Sequence, residues 1–291
     1  MLPNKALQQT GVSVAPLPLV PAAEHRYVMR SCRLRAMIPL DSPRWSSLRH
    51  AFGPAGDVPS MLLRLNTPEA DGAWDDLFGA VLHQGTASSS AHAVVPYILE
   101  LAEKTDIRVA SEKHLFFIGM VARSLTPAES PPDVFDEYLA ALERTLPLAA
   151  ASLHAASTVV EAVYAIQLLA SLDGRTALAH VIERLADQGA EFSCPACRGW
   201  ILVEQEPQGW RAFPGPGAAE RSTILAPRPI PASPRNPSAD LSWAAALAQD
   251  IGPRDDLLEG LAVLNAHCTC PLCAHTFSIY DDALALLEQL D

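Results

Sequence analysis

The sequence predicts a mainly α-helical protein, built as an α-solenoid of degenerate helix pairs with a small zinc-ribbon β element in its C-terminal third. Three observations lead to this prediction. The 291 residues are 49% hydrophobic but only 6% aromatic, and Ala and Leu, both strong helix formers, dominate the apolar content. Apolar residues at helical spacing recur in segments about 15–20 residues apart between positions 41 and 187. Two Cys-Pro-x-Cys sequences follow these segments.

Apolar periodicity and turn residues predict the order of the helices. A first helix begins at Ser42-Pro43, with Pro in the first turn, and extends through Phe52. We expect Pro96 to kink its helix or delay its start, and Pro147 to separate two helices. The remaining helices of this region are predicted for the segments 58–65, 74–82, 88–103, 106–121, 134–142, 148–156, 159–172 and 177–185.

These helices suggest a repeat architecture for residues 37–190. Short turns make consecutive helices antiparallel neighbours, and pairs of them recur at roughly the 35–45 residue spacing of helical repeats. An α-solenoid is the economical interpretation, and a compact, irregular helical bundle is the alternative.

The two ends of the chain differ from this helical region. Residues 1–36 are predicted to be disordered or a non-native leader, because prolines fragment the segment and its Arg cluster has no apolar period. Residues 191–291 are predicted to form a split zinc ribbon. A proline-rich loop over 207–237 and two helices, 241–251 and 255–266, interrupt this ribbon.

Charge is distributed unevenly along the chain. The net charge is −12. Residues 51–190 carry 8 basic against 18 acidic side chains, a net −10, and residues 191–291 carry 6 against 13, a net −7. Such a body repels phosphate backbones, so nucleic acid is an unfavoured partner and a basic protein a favoured one. Because the chain has no run of eighteen apolar residues, we expect no membrane span and a cytoplasmic location.

Two cysteine pairs predict a metal site. Cys194 and Cys197, and Cys270 and Cys273, place two thiolates on each of two tight turns, and together they supply the four ligands of a tetrahedral Zn²⁺. Four thiolates leave no position for water, which predicts one structural zinc ion and disfavours catalysis there. Iron and a redox dithiol remain alternatives. We expect Gly199 to hold the positive φ beside the first turn.

Three further side chains near the second pair leave the ligand set open. Cys268 offers an alternative sulfur two residues before Cys270, although the symmetry of the two Cys-Pro-x-Cys turns favours Cys270 and Cys273. His267 and His275 are possible substitutes for a sulfur.

The segments Trp74–Thr86 and Ala91–Leu101 carry a resemblance. Their helix, His-Gln-Gly-Thr turn and second helix with an internal Val-Pro resemble the front of bacterial HEAT-like repeat proteins, which are similar also in having a Cys-Pro-x-Cys-Gly turn and a later Cys-Pro-x-Cys. The resemblance covers residues 41–291. This chain departs from it at Arg198 and Ala274, where Gly is common. The resemblance implies a helical-repeat scaffold, in some members encoded near toxins, and no established enzyme activity.

The sequence therefore predicts a non-enzymatic interaction scaffold that binds a basic partner protein in an immunity-like pairing. The candidate binding surface contains Trp74, His83, Gln84 and His92, although the His-Gln-Gly turn can equally serve to end a helix. One alternative is nucleic-acid binding through the ribbon and an Arg-bearing loop. The other is a hydrolase at His83 and His92. The sequence has no Walker loop, dinucleotide fingerprint or His-Glu-x-x-His helix.

Overall fold

A computed structural model describes residues 37–67, 70–83, 85–124, 129–186, 189–207, 209–215, 228–230, 237–252 and 254–287. These residues belong to one compact unit, Arg33–Asp291. The segment 1–36, Gln84 and the larger part of the predicted loop 207–237 lie outside the described residues.

The protein is mainly helical, as predicted. The run Ile107–Ala122 is continuous and contains a π-helical segment, Ser111–Leu115. Short 3₁₀ turns lie at Pro43–Ser47 and Glu183–Leu185. The α-helices are α1 Val58–Arg64, α2 Ala70–Val81, α3 Ser89–Ala102, α4 Ile107–Ala110, α5 Phe116–Ala122, α6 Pro132–Ala155, α7 Val159–Leu172, α8 Thr176–Ile182, α9 Ala239–Asp250, α10 Asp255–Leu264 and α11 Ile279–Leu287.

Small antiparallel sheets complete the secondary structure. Two minimal hairpins pair β1 with β2 and β3 with β4, and a third pairs β9 with β10. The largest sheet has four strands in the order β5-β6-β7-β8. The strands are β1 Arg49–His50, β2 Gly53–Pro54, β3 Leu82–His83, β4 Thr86–Ala87, β5 Gly189–Ser193, β6 Trp200–Glu206, β7 Gly209–Pro214, β8 Arg228–Pro229, β9 His267–Thr269 and β10 Thr276–Ser278.

The predicted first helix is wrong beyond its first turn. Ser42 accepts a hydrogen bond from the Arg44 backbone N–H, as an N-cap does, but the turn ends at Ser47. The chain then forms the β1–β2 hairpin, helped by the positive φ of Gly53. Phe52 is 73% exposed, so extending the helix through it would have buried nothing.

Prolines were a poor guide to two other boundaries. Pro147 lies inside α6, which runs without a break for 24 residues. A proline there deprives the carbonyl of Glu143 of its helical donor, but Glu143 is exposed and water can replace that donor. Similarly, β7 and β8 are strands within the segment predicted as a loop.

Local capping fixes the start of α7. The Thr158 side chain accepts from the Glu161 backbone N–H at 3.2 Å, and the Glu161 carboxylate accepts from the Thr158 backbone N–H at 3.2 Å. This reciprocal capping box satisfies two backbone donors that a helix start leaves open. The apolar helix that follows buries most of its length, including Ala162, Ile166 and Leu169.

Helices from Val58 to Leu172 pack as two layers of three. We call α1, α3 and α6 layer A, and α2, the run Ile107–Ala122 and α7 layer B. Within layer A, α3 contacts both α1 and α6, and across the layers α1 contacts α2, α3 contacts α5, and α6 contacts α7. In layer B, α5 packs on α7.

Aromatic side chains join the helices of layer B. The Phe78 ring of α2 stacks on Phe116 of α5 at 5.8 Å between centroids, and Phe116 meets Tyr164 of α7 edge-on at 4.8 Å. Such pairs add roughly 0.5–1.5 kcal/mol beyond the burial of their area. The core between the layers contains fully buried Leu77, Ile98, Phe117, Leu153 and Ile166.

The C-terminal helices pack on α7 and α8. α9 and α10 both contact α7, and α11 contacts α8. The segment that carries the second cysteine pair is thereby held beside the helix that precedes the first. Among the described residues, no helix combines the length and apolar character needed to cross a bilayer.

Candidate metal centre

Each Cys-x-x-Cys sequence forms the loop of an antiparallel hairpin. Cys194 and Cys197 lie between β5 and β6, whose last pair is Ser193 with Trp200. Cys270 and Cys273 lie between β9 and β10, whose last pair is Thr269 with Thr276. The β-prone residues after each turn thus form a strand in both cases, as predicted.

The two turns have the same hydrogen bonds. The N–H of Arg198 donates to the carbonyl of Cys194 at 2.8 Å, and the N–H of Ala274 donates to the carbonyl of Cys270 at 3.0 Å. The first cysteine of each turn closes the loop by donating its own N–H to the carbonyl five residues later, which belongs to Gly199 at 3.0 Å or His275 at 2.8 Å. Equal hydrogen bonding gives the two turns the same backbone path.

The positive φ beside the first turn falls at Arg198 and not at the predicted Gly199, and in the second turn it falls at the equivalent residue, Ala274. Arg198 has a φ of 53° and Ala274 a φ of 61°, whereas Gly199 lies outside the positive-φ region. The reversal occurs immediately after the second cysteine, because the residue there must donate its N–H back to the first. These are the two positions at which the HEAT-like pattern commonly has Gly, the residue that adopts this conformation without strain.

The four predicted cysteines come together. Their sulfur atoms all lie within 4.8 Å of one another. The Sγ atoms of Cys194 and Cys273 are 3.7 Å apart, and those of Cys197 and Cys270 are 3.8 Å apart. Sulfurs at the corners of a regular tetrahedron, each about 2.3 Å from zinc, are about 3.8 Å apart. A disulfide would need about 2.05 Å, so the four thiols are free, and their spacing is compatible with a tetrahedral metal site.

The pKa values of the clustered thiols shift in different directions. Burial raises the pKa of the Cys194 and Cys270 thiols. Burial acts on Cys197 in the same direction, but hydrogen bonds from the Gly199 backbone and the neighbouring thiols outweigh it and lower the pKa of Cys197. The Leu272 N–H also lies 3.3 Å from Cys270 Sγ. A divalent metal would replace the lost protons, and the backbone donors would support the thiolate charge.

Cys268 lies outside the cluster. It is fully buried on β9 opposite Phe277, and burial raises the pKa of its thiol to about 12. It behaves as a small core side chain. His267 and His275 are also absent from the four-residue cluster. Among the described residues, the cluster that could hold a metal ion is therefore the one that the symmetry of the two turns predicts.

The described members of the candidate binding surface differ in their exposure to solvent. His83 is exposed on the β3–β4 hairpin, 5.7 Å from the Phe52 ring. Trp74 is buried in layer B against His114 and Phe117. Of the three described members of that surface, only His83 faces solvent.

His92, another member of the predicted surface, has the environment of a core histidine. Gln84 lies outside the described residues. His92 is 4% exposed and its ring stacks on Tyr138 at 4.4 Å. Its Nδ1 lies 2.8 Å from the hydroxyl of Ser130. In the described part of the chain, no carboxylate hydrogen bonds to its Nε2, so the orienting group of a Ser-His-Asp triad is missing there.

The sequence reasoning missed one side chain beside the metal turns. Trp200, the first residue of β6, is 53% exposed, and Arg198 two residues before it is also exposed. An exposed Trp at the start of a strand is a visible signal, because alternation places its neighbours Ile201 and Val203 in the core.

Comparison with models of protein families, with curated proteins and with solved structures finds no match to this chain.

Proposed function

We propose that this chain is a non-enzymatic protein-binding scaffold: a solenoid of HEAT-like helix pairs whose C-terminal part is held by one structural zinc ion. The observation that carries the proposal is the layered packing of three consecutive helix pairs. In a helical solenoid each helix contacts its pair partner and the equivalent helix of the next repeat. The contacts of α3 with α5 and α6, and of α7 with α5 and α6, follow this pattern.

Charge supports a basic protein as the partner. The helical region 51–190 has a net charge of −10. Several of its exposed carboxylates, among them Asp75 on α2 and Glu143 on α6, form no ion pair with a described residue. Uncompensated charge of one sign steers an oppositely charged protein and speeds association. An immunity-like pairing with a basic toxin in the cytoplasm is the specific form of this proposal.

The proposed metal role is structural. Four thiolates fill the coordination sphere of zinc, so no position is left for a water or a substrate. Metal analysis of the purified protein tests the site. We expect one metal per chain, lost in Cys194→Ser. A colourless protein indicates zinc, whereas visible thiolate-to-metal charge-transfer bands indicate iron. Full metal content in the Cys194→Ser variant would refute the site.

Affinity capture from the native host tests the partner. The tagged protein should retain a protein of high isoelectric point, and the affinity of the recombinant pair should fall as salt concentration rises. Asp75→Asn in layer B and Glu143→Gln in layer A form a matched pair that shows which layer carries the interaction. An affinity that does not respond to salt would contradict the charge argument.

A second candidate function rests on Trp200. An exposed indole beside Arg198 could stack on a base of single-stranded nucleic acid, an interaction worth roughly 1–3 kcal/mol per base. The net charge of −7 over residues 191–291 opposes it. Titration of labelled single-stranded RNA and DNA decides the matter: binding that Trp200→Ala weakens at least tenfold would favour this function over the scaffold.

A further inference from the structure

A cavity of about 300 Å³ opens between the helical run Ile107–Ala122, α7 and the end of α6. Its volume lies at the lower end of the range of small-molecule sites. The cavity is remote in sequence from the cysteine turns, and nothing in the proposed scaffold function requires it.

The walls of the cavity are mainly apolar. Val160, at its edge, is 38% exposed, although it is part of α7, whose following residues are mostly buried. Displacement of water from such walls by an apolar group lowers the free energy of the system. The apolar lining consists of Leu115, Phe116, Val160, Ala165 and Leu168, together with the ring of Tyr164.

One wall is the π-helical segment Ser111–Leu115. Three of its five residues, Ser111, Glu112 and Leu115, line the cavity. A π-helical turn is rare because it is wider than an α-turn and less well packed, and such turns concentrate at functional sites. The irregular backbone and the cavity thus coincide at the same residues.

The two serine hydroxyls that line the cavity are available as hydrogen-bond acceptors. Ser111 Oγ lies 2.6 Å from the Ile107 carbonyl oxygen and 2.7 Å from Ser152 Oγ. Each of these two contacts needs one hydrogen, and the two hydroxyls possess two. Both hydrogens are therefore used within the protein, and the positions left open around these oxygens are lone pairs.

Two carboxylates add to this acceptor character. Glu161 accepts from the Ser157 hydroxyl at 2.8 Å and from the Thr158 backbone, and Arg108 lies close enough to attract its charge. Glu112 is exposed and pairs with no cation among the described residues. The uncompensated charge at the edge of the cavity is therefore the negative charge of Glu112.

We propose that this cavity binds a small organic cation, an ammonium group on an apolar body. The body fills the space between Leu115, Phe116 and Leu168, and the ammonium group donates to the acceptors and faces Glu112. An apolar alcohol fills the same space without the charge. A carboxylate of the same size meets repulsion from Glu112.

Calorimetric titration of the full chain with phenethylammonium, phenethyl alcohol and hydrocinnamate tests this proposal. We expect saturable 1:1 binding of the ammonium compound, binding of the alcohol at least tenfold weaker, and no binding of the carboxylate. Glu112→Gln should lower the affinity for the ammonium compound three- to tenfold. Glu143 is an exposed carboxylate on α6 away from the cavity, so Glu143→Gln should leave this affinity unchanged.

Two further variants test the position of the ligand. Ala165→Leu fills the cavity and should abolish binding. Val160→Lys, at a partly exposed position that tolerates a polar side chain, should also abolish it by placing a competing ammonium group at the edge. Absence of saturable binding to the wild-type chain, equal affinity for the alcohol, or unchanged binding in Val160→Lys would overturn the proposal. None of these outcomes bears on the scaffold function.

Discussion

The Sγ atom of Cys197 lies 3.8 Å from that of Cys270, although 73 positions separate the two residues in sequence. The same is true of Cys194 and Cys273, whose sulfurs are 3.7 Å apart across 79 positions. A metal held by these atoms closes a long loop that contains three strands of the four-stranded sheet, β6, β7 and β8, and the helices α9 and α10. It also joins the helix that precedes the first turn to the one that follows the second.

Removal of the metal should destabilise the protein measurably. Closing a loop of this length restricts the unfolded chain by roughly 4 kcal/mol in the chain-entropy model. For a chain of this size, that corresponds to a fall in Tm on the order of 10 °C. Thermal unfolding with and without a chelator, followed by circular dichroism, measures the shift. Restoration of the original Tm by added zinc is the control, and an unchanged Tm after complete metal removal would contradict the structural role.

Substitution of two neighbouring cysteines should have different consequences. Cys270→Ser should lose the metal, since it removes one of four ligands. Cys268→Ala should retain one metal per chain, because its sulfur lies outside the cluster, and should cost about 1–2 kcal/mol of stability through the buried atoms it removes. Metal content by mass spectrometry and chemical unfolding of both variants provide the comparison. Loss of metal in Cys268→Ala would show that the ligand set is wrong.

Ala274→Gly should stabilise the protein. Ala274 has a φ of 61°, a left-handed conformation that costs a residue with a Cβ roughly 1–2 kcal/mol and costs Gly nothing. The greater freedom of Gly in the unfolded chain offsets part of this gain, so we expect about 0.5–1 kcal/mol in chemical unfolding of the metal-loaded protein. Ala246→Gly, on the exposed face of α9, is the matched control and should destabilise by about 1 kcal/mol.

The stability of the protein should depend on pH through His92. Burial lowers the pKa of His92 from 6.5 to about 4. Between these values the unfolded chain binds a proton that the folded chain does not, so the free energy of unfolding falls as pH falls from 6.5 towards 4, by about 3 kcal/mol in total. Above pH 6.5 this dependence disappears.

Chemical unfolding across that pH range measures the effect. His92→Phe keeps an aromatic ring against Tyr138 but cannot titrate. Its free energy of unfolding should therefore lack the part of the pH dependence that His92 causes. His83→Gln, which removes an exposed histidine, should keep it. A slope that is the same in His92→Phe and in the wild-type chain would exclude His92 as the cause.

The parts of the structure that the sequence predicts are those encoded by neighbouring residues. The cysteine turns and the strands after them follow from spacing within a dozen positions, and the apolar periodicity over 159–172 predicts α7. Pro147 misleads because the cost of a proline inside a helix depends on whether the carbonyl of Glu143 can reach water. That exposure is a property of the fold and has no local signal.

Other features depend on packing between distant segments. The choice of Cys270 over Cys268 as a ligand is determined by the strand pairing that turns Cys268 toward Phe277. The cavity beside Ser111 requires the end of α6 and the start of α7 to meet a π-helical turn, and no residue pattern in Ser111–Leu115 distinguishes that turn from an ordinary α-helix. The burial of Trp74 and His92, two members of the predicted binding surface, likewise results from helices that are distant in sequence packing over them.

The distance in sequence between the two turns also has a consequence for biosynthesis. The first cysteine pair leaves the ribosome well before the second, and at about 5–20 residues per second the 73 positions between Cys197 and Cys270 take roughly 4–15 seconds to translate. Throughout that interval the nascent chain displays two thiols without their partners. The helices of residues 58–172 can form in the meantime, whereas a metal bound by all four cysteines could be captured only after the second pair is synthesised.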